Sequence, residues 1–265
     1  MHTGTDAITA GIDIGSITAK AVLLIGGEIA GTCVRFTGYN AKKAGRAVFD
    51  ELLKEAGIAK ERVSMVVSTG YGRNAVDFAD KAITEITCHG AGAWFIDPAV
   101  RFVIDVGGQD SKVMRLDENG KVVDFAMNDK CAAGTGRFLE VMARAMEVDL
   151  DDFGALSLSG EPARISSICT VFAESEVISL IAAGEARENI VAGIHEAAAS
   201  RISAMARRVG VVPPVMMTGG VARNKGMIMA LEGKLGVPLS VSPYAQVNGA
   251  LGAALLASRM DRPHP

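Results

Sequence analysis

Two of the four cysteines stand where a thiol could do chemistry. Cys131, in KCAAGTG, and Cys169, in SSICT, each come just ahead of a stretch that is predicted to be helical. A helix N-terminus favours the thiolate form of cysteine, which is the form that acts as a nucleophile or a metal ligand. Burial of both thiols in a core is the simpler alternative, and both interpretations stay open at this point. Cys33, in an apolar–polar alternation, and Cys88 are assigned to packing.

Two Asp-x-Gly turns provide a second set of candidate residues. Asp13 and Asp105 each follow an apolar run and precede a glycine-containing turn. Glycine lets backbone N–H groups approach a phosphate closely, and an aspartate can hold Mg²⁺ or its waters. One such turn is more often an ordinary turn, whereas a pair in a repeated chain favours a phosphate clamp.

Two further segments could contact a nucleotide. Thr218-Gly219-Gly220 follows an apolar strand and precedes a predicted helix, which suits either nucleotide binding against bare backbone or a simple strand-to-helix turn. Gln246 opens a run of small residues and is a candidate contact for a nucleotide base. The chain contains no G-x-x-x-x-G-K-[ST] motif, so a P-loop protein is excluded.

Composition narrows the class of protein. The chain has 265 residues, of which 49% are hydrophobic, so extensive disorder is excluded. A net charge of -3 gives no reason to expect nucleic-acid binding. There is no signal-like N-terminus and no apolar run of about 18 residues, so we expect a cytoplasmic protein without a membrane partner, in which cysteines stay reduced.

The elements that must position these residues are repeated. Ile12-Asp13-Ile14-Gly15 reappears 92 residues later as Ile104-Asp105-Val106-Gly107, and TGYGRN at Thr69 is matched by TGGVARN at Thr218. The interval from the aspartate to the threonine is 56 residues in the first copy and 113 in the second. The second copy therefore carries an insertion, and both candidate cysteines lie in it.

The repeat predicts two lobes. The N-terminal lobe covers residues 1–95, with a C-terminal helix at about 245–265 packing back on it. The C-terminal lobe covers 96–244 and contains the cysteine-bearing helical insertion at about 129–190. Helical spacing of apolar residues predicts helices over 136–148, from 170 to near 184, and over 185–209.

The segments together resemble the activator ATPases of 2-hydroxyacyl-CoA dehydratases and the related ATPase subunits of benzoyl-CoA reductase. The resemblance runs from Gly11 to Ala254, and the two cysteine segments are its most specific part. The Asp-x-Gly motifs are shared with actin, hexokinase, acetate kinase and heat-shock chaperones. The matching motifs are GIDIGS, TGYGRN, IDVGGQDSK, NDKCAAGTGRFLE, SSICTVFAESEVISL, MTGGVARN and NGALGAAL.

The resemblance implies an α/β, actin-like ATPase fold with two duplicated ribonuclease H-type lobes and a nucleotide cleft between them. It also implies a homodimer that shares one 4Fe-4S cluster, ligated by Cys131 and Cys169 of each protomer. Asp13 and Asp105 would lie near Mg²⁺ and the attacking water, and Gln109 would join them in catalysis. ATP or ADP would be bound by Gly15, Ser16, Ile17, Thr18, Ala19, Lys20, Gly107, Gly108, Gln109, Gly134, Thr135, Gly136, Gly219, Gly220 and Gln246.

One position departs from the family. Ile17 stands where members of this group often carry a hydroxyl residue, and Ser16 and Thr18 remain to supply hydroxyl groups.

The implied activity is ATP-dependent electron transfer. Nucleotide binding would close the lobes, and an electron from a ferredoxin or flavodoxin would pass at low potential to a 2-hydroxyacyl-CoA dehydratase or related acyl-CoA reductase. The alternative is a small-molecule kinase of the same fold, acting on a sugar or a carboxylate, which would not need Cys131 or Cys169. A nucleotide-dependent assembly protein is the third interpretation.

Overall fold

The computed structural model describes residues 7–166 and 169–260. It divides into two compact units. The first comprises Met1–Ala99, Leu116–Val122 and Gln246–Pro265, and the second comprises Val100–Arg115 and Val123–Ala245. The ends of the predicted N-terminal lobe (1–6 and 261–265), and Ser167 and Ile168 of the cysteine segment, lie outside the described residues. The predicted lobes, 1–95 with 245–265 and 96–244, stay a prediction.

Both units are of mixed α/β structure. In chain order the elements are β1 (Ile8–Ile14), β2 (Thr18–Ile25), β3 (Glu28–Phe36), α1 (Ala41–Ala56), β4 (Val63–Thr69), β5 (Lys81–Ala82), α2 (Glu85–Ile96), β6 (Phe102–Val106), β7 (Ser111–Leu116), β8 (Val122–Asn128), α3 (Gly136–Ala145), α4 (Leu150–Ser157), α5 (Thr170–Ala182), α6 (Arg187–Val209), β9 (Val215–Thr218), α7 (Lys225–Leu235), β10 (Leu239–Val241) and α8 (Asn248–Ser258).

The sheet of the first unit is built around β1. Its strand order is β3-β2-β1-β4-β5, with β1 antiparallel to β2 and parallel to β4. All seven residues of β1 are buried. An apolar run without alternation is typical of a central strand that is covered on both faces, and β1 has that position.

Helices cover the two faces of this sheet. Leu23 of β2 belongs to the same apolar cluster as Phe49 of α1, whereas Leu24 packs in a cluster with Leu251 of α8. Successive side chains of a strand point to opposite faces, so α1 and α8 lie on opposite sides of the sheet. A Cβ atom on Gly11 of β1 would lie 1.9 Å from the carbonyl oxygen of Ala250, so only glycine lets α8 pack this closely.

The sheet of the second unit has the order β10-β9-β6-β7-β8, with β6 antiparallel to β7 and parallel to β9. One large apolar cluster joins this sheet to the helices that pack on it. Phe138 of α3, Phe153 of α4, Val177 of α5 and Ile194 of α6 all contribute to that cluster. The inserted helices are therefore part of the core of this unit.

The register of the two sheets confirms the internal repeat. In each unit the aspartate of the Asp-x-Gly strand lies opposite a lysine on the antiparallel neighbour and a threonine on the parallel neighbour. The paired residues are Asp13 with Lys20 and Thr69, and Asp105 with Lys112 and Thr218.

Three of the four helices between β8 and β9 were predicted. The structure confirms α3, α5 and α6, although α3 ends at Ala145, three residues earlier than predicted, and α6 begins at Arg187, two residues later. The short helix α4 was not predicted, although Asp149 precedes it and two acidic residues, Asp151 and Asp152, occupy its first turn.

Within residues 7–166 and 169–260, no helix is both long enough and apolar enough to cross a membrane.

Candidate functional site

The turn between β1 and β2 holds the first group of predicted nucleotide contacts. The Gly15 N–H donates to the carbonyl oxygen of Thr18 at 3.0 Å. Thr37 Oγ1 donates to the carbonyl oxygen of Gly15 at 2.8 Å, so the turn is also fixed from the end of β3. Ser16, at the tip, is exposed. The predicted contacts from Gly15 to Lys20 thus form one ordered turn and the start of β2, with an exposed tip at Ser16.

Asp13 lies at the base of this turn against bare backbone. Its carboxyl group is buried, and Oδ2 lies 3.1 Å from Lys20 Nζ. A Cβ atom on Gly70 would lie 2.3 Å from Asp13 Oδ1, and one on Gly249 would lie 3.2 Å from Oδ2. Both glycines belong to motifs that carry the family resemblance, but neither was predicted to be a site residue. Gly70 directly follows the buried strand β4, and Gly249 lies in the first turn of α8. A glycine at such a position is the sequence signal that could have identified each of them.

Asp105 has the corresponding position in the second unit and is held by more groups. Thr218 Oγ1 donates to Asp105 Oδ1 at 2.9 Å, and Lys112 Nζ lies 3.4 Å from Oδ2. Gly219 has φ +88°, and a Cβ atom there would lie 3.0 Å from Asp105 Oδ1. Gly220 is exposed, and a Cβ atom on it would meet open space. The TGG turn therefore lies directly beside this carboxylate.

The N-terminus of α3 is hydrogen-bonded to the turn between β6 and β7. The Gly136 N–H donates to the carbonyl oxygen of Gly107 at 2.9 Å, and the Arg137 N–H donates to that of Gly108 at 2.8 Å. The first N–H groups of a helix have no acceptor within the helix, and the turn supplies one for each. The structure thus brings together the predicted contacts Gly107, Gly108 and Gly136, and Gln109 is exposed next to them.

Cys131 lies in an ordered loop that leads into α3. Asn128 Nδ2 donates to the carbonyl oxygens of Cys131 at 2.7 Å and of Ala133 at 3.1 Å. Thr135 Oγ1 donates to the carbonyl oxygen of Ala132 at 2.6 Å. The thiol-bearing residue itself is half-buried. The loop is therefore fixed at several points, and at Gly136 it joins the N-terminus of α3, which is hydrogen-bonded to the turn between β6 and β7.

Cys169 is exposed and is the N-cap residue of α5. Its side chain makes no capping hydrogen bond. α5 packs against α3 and buries Ala173 and Val177. Its other side carries exposed apolar side chains: Val171, Phe172, Ile178 and Ile181. The two predicted ligand cysteines thus precede neighbouring helices of one unit, beside an apolar surface.

The other two cysteines are held as neutral thiols. Burial, together with the neighbouring Glu51 carboxylate, raises the pKa of Cys33 to about 11. Burial raises the pKa of Cys88 to about 12. Ligation and nucleophilic attack need the thiolate, so these pKa values support the assignment of both residues to packing.

The residues present fit parts of the two implied metal sites. Among the described residues, no group of three or more His, Cys, Asp or Glu side chains could hold a metal ion. A four-thiolate cluster site needs twice the two accessible cysteines of one chain, so Cys131 and Cys169 fit half of such a site. Mg²⁺ is usually held by one or two carboxylates together with substrate phosphates, and Asp13 and Asp105 suit that chemistry.

Gln246 is half-buried where the chain passes from the second unit to the first. The residue before it, Ala245, accepts a hydrogen bond from the Gly219 N–H at 2.9 Å. Gln246 itself is assigned to the first unit, and Gly219 and Gly220 to the second. Its predicted contact with a nucleotide base stays a prediction.

The repeated sheet with an Asp-x-Gly turn on each copy defines a protein of the actin-like ATPase fold. A ROK family glucokinase from Streptomyces griseus, solved with glucose and AMPPNP, superposes with a TM-score of 0.58 over 96% of this chain and all of its own. The two are 13% identical, so this likeness concerns the fold alone. The predicted fold class is confirmed.

The chain belongs to the BadF/BadG/BcrA/BcrD ATPase family, which it matches over residues 10–257. It is therefore an ATPase, as predicted. It is 50% identical to the (R)-2-hydroxyglutaryl-CoA dehydratase activating ATPase of Acidaminococcus fermentans, over 94% of this chain and 96% of that protein. It is 35% identical to a subunit of the benzoyl-CoA reductase of Thauera aromatica, over 94% and 92% of the two chains.

Two solved structures support the same assignment. The crystal structure of the Acidaminococcus fermentans (R)-2-hydroxyglutaryl-CoA dehydratase component A has a TM-score of 0.93 and 48% identity, over 96% of this chain and 98% of that one. The activator of the 2-hydroxyisocaproyl-CoA dehydratase from Clostridium difficile, with bound ADPNP, has a TM-score of 0.90 and 44% identity, over 97% and 100%. The resemblance identified from the motifs is confirmed.

Proposed function

We propose that this ATPase is an electron-transfer activator. It works as a homodimer with one 4Fe-4S cluster and uses ATP to pass a low-potential electron to a 2-hydroxyacyl-CoA dehydratase or a related acyl-CoA reductase. The electron comes from a ferredoxin or flavodoxin. The names of the relatives support both partner classes, since they include an activating ATPase of a dehydratase and a component of benzoyl-CoA reductase.

The observation that carries this proposal is the connection between the second turn and the cysteine loop. Two hydrogen bonds attach the start of α3 to Gly107 and Gly108. Cys131 lies five residues before Gly136 in a loop with its own fixed hydrogen bonds. A displacement of the turn by nucleotide would therefore move the cysteine loop, which provides a physical coupling between two distinct sites.

The surface around Cys169 supports the homodimer. One chain supplies two accessible thiols, and a two-fold axis supplies four. Of the exposed apolar side chains of α5, Val171 and Phe172 follow closely after Cys169, and Ile178 and Ile181 lie further along the helix. Exposed apolar side chains beside a proposed ligand are typical of an interface, so a second copy is the occupant that explains both features.

The turns supply the chemistry of nucleotide binding. Backbone N–H groups at the tip of each turn bind phosphate oxygens, and the Lys20 ammonium neutralises phosphate charge. Asp13 of the first unit and Asp105 of the second would each suit Mg²⁺ or its waters, and exposed Gln109 would orient the attacking water. When bound, the cluster supplies a one-electron carrier, and Cys131 and Cys169 of both protomers hold it.

Anaerobic purification with iron analysis and electron paramagnetic resonance tests the proposal. We expect about two iron atoms per chain and the signal of a reduced 4Fe-4S cluster in a dimer. Cys131→Ala and Cys169→Ala should each abolish the cluster while nucleotide binding persists. Cys33→Ala is the matched control, because this buried thiol should not affect iron content.

A dimer that stays free of iron after cluster reconstitution would contradict the proposal. Phosphoryl transfer to a sugar or carboxylate, undiminished in the variants that lack Cys131 and Cys169, would establish the kinase alternative instead. Assembly of filaments with ATP would favour the third interpretation.

A further inference from the structure

The two Asp-x-Gly turns carry the same Asp–Lys pair in different surroundings. In each unit the lysine lies directly opposite the aspartate in the antiparallel register, Lys20 opposite Asp13 and Lys112 opposite Asp105. The family resemblance places Lys20 among the phosphate contacts, but it implies no role for Lys112. The differences between the two Asp–Lys pairs point to a role for Lys112.

Lys20 remains near the surface of its turn. Its side chain is 14% exposed and its Nζ pairs with Asp13 Oδ2 at 3.1 Å. The same Nζ atom lies 2.9 Å from the position that a Cβ atom on Gly15 would take, so the ammonium lies directly against the turn backbone. A lysine ammonium has three N–H donors, and in this position some of them can face a bound phosphate.

Lys112 is enclosed and is paired with two carboxylates. Its side chain is 3% exposed, and its Nζ lies 3.4 Å from Asp105 Oδ2 and 2.8 Å from Asp110 Oδ2. Asp110 occupies the position that Thr18 has in the first copy of the repeat. The shorter of the two contacts is thus made to a carboxylate that the first turn lacks.

Asp110 also shapes the second turn. Its carbonyl oxygen accepts a hydrogen bond from the Gly107 N–H at 2.9 Å. A Cβ atom on Gly107 would lie 2.6 Å from Asp110 Oδ1, so the side chain folds back over the turn. This position holds the carboxylate beside Lys112 and keeps the ammonium inside the turn.

The result is a fully oriented Asp105. Thr218 Oγ1 holds its Oδ1 atom at 2.9 Å, and Lys112 holds its Oδ2 atom. A buried carboxylate needs an opposite charge and hydrogen bonds to remain ionised and fixed, and these two groups supply both.

We propose that Lys112 is a positioning residue for ATP hydrolysis. It fixes the carboxylate of Asp105, and Asp110 is the counter-ion that retains Lys112 in the turn, whereas Lys20 alone binds phosphate. The two copies of the turn have thus acquired different roles. This inference rests on the ATPase activity and on the predicted role of Asp105, and it does not depend on the cluster or on an acyl-CoA enzyme.

Nucleotide binding and steady-state ATP hydrolysis of three variants test the inference. Lys20→Met should raise the Kd for MgADP about tenfold or more, because a phosphate contact is lost. Lys112→Met should leave that Kd within about threefold of the parent value but lower kcat about tenfold or more, because Asp105 loses its orientation. It should also raise the Mg²⁺ concentration needed for half-maximal nucleotide affinity. Lys112→Arg, which keeps the charge, should recover part of kcat.

A Kd for MgADP that rises as much in Lys112→Met as in Lys20→Met would overturn the inference, since Lys112 would then be a phosphate ligand. An unchanged kcat in the folded Lys112→Met protein would overturn it as well.

If Lys112→Met does not fold, Asp110→Asn takes its place. This variant keeps the shape of Asp110 but frees Lys112 from its nearer carboxylate, so kcat should fall about threefold or more while the Kd for MgADP stays the same or decreases. A weaker affinity with an unchanged kcat would overturn the inference. Nucleotide binding and ATP hydrolysis are measured without reference to iron content or dimerisation. The outcome for Lys112 is therefore independent of whether the electron-transfer proposal holds.

Discussion

The Gly136 N–H donates a hydrogen bond to the carbonyl oxygen of Gly107 at 2.9 Å, and this contact links the start of α3 to the turn between β6 and β7. It joins residues from two motifs that the sequence separates, GGQDSK and CAAGTGR. The contact leaves little room at position 136, because a Cβ atom there would lie 3.1 Å from the Gly107 oxygen and the backbone would have to shift slightly.

Replacing Gly136 by valine tests this contact. The branched side chain would push α3 away from the turn, so we expect the Kd for MgADP to rise about tenfold, measured by isothermal titration calorimetry. Gly233→Val, in α7, is the matched control, because a Cβ atom there meets open space. Equal nucleotide affinity in the two variants would show that the turn does not depend on α3.

Gly70→Ala tests the bare backbone around Asp13. A Cβ atom at this position would lie 2.3 Å from Asp13 Oδ1, so the carboxylate must move. We expect kcat for ATP hydrolysis to fall about tenfold or more, measured with a phosphate-release assay. The residue also has φ +86°, which adds a cost of about 1–2 kcal/mol in the free energy of unfolding.

Gly57→Ala separates these two effects. Gly57 caps α1 with φ +65°, and a Cβ atom on it would meet nothing within 4 Å. This control should lose only the part of the stability that the positive φ accounts for, about 1–2 kcal/mol, and keep its kcat. The loss of kcat in both variants would contradict a specific role for Gly70.

The cysteines should differ in their reactivity towards iodoacetamide. In the cluster-free protein at pH 8, exposed Cys169 and half-buried Cys131 should be alkylated, whereas Cys33 and Cys88 should react only after unfolding. Their raised pKa values, about 11 and about 12, keep these two residues as thiols. Peptide mass spectrometry measures the modified fraction at each site. Fast modification of Cys88 in the folded protein would contradict its burial.

The same two thiols should make the protein less stable in alkali. In the unfolded chain they ionise near pH 9, while in the folded chain they remain protonated up to their raised pKa values. The folded state then binds more protons than the unfolded state, so the free energy of unfolding falls as the pH rises above about 9. Thermal unfolding of Cys88→Ala and of the parent chain measures this fall in stability with pH. The fall above about pH 9 should be smaller in the variant than in the parent chain.

His195 should make the protein sensitive to mild acid. Burial lowers its pKa below the ordinary 6.5, and its ring lies within hydrogen-bonding distance of the Val191 carbonyl oxygen and Asn224 Oδ1. Below about pH 6.5 the unfolded chain takes up a proton that the folded chain binds less readily, so stability falls as the pH decreases. The drop in Tm between pH 7.5 and 5.5 should be smaller in His195→Gln. An identical drop would contradict this assignment.

Local signals in the sequence were sufficient for much of the fold. Apolar runs that end in Asp-x-Gly predicted the two hairpins, and helical spacing predicted α3, α5 and α6, because these patterns act within a single element. α4 was missed, since it has only eight residues and its hydrophobic pattern spans barely two turns. The family followed from the motifs, and the cysteine segments were the most specific of them.

The sequence by itself determined the repeat, the insertion, the candidate cysteines and the family to which this ATPase belongs. Only the tertiary structure decided that Gly70 and Gly249 enclose Asp13, and that the Lys112 ammonium lies closer to Asp110 than to Asp105. The physical reason is that these contacts join residues that are far apart in the chain, or depend on the direction in which a side chain points. Strand pairing and helix packing bring remote glycines to one carboxylate, and the fold of a single turn decides how closely an ammonium approaches each of two carboxylates.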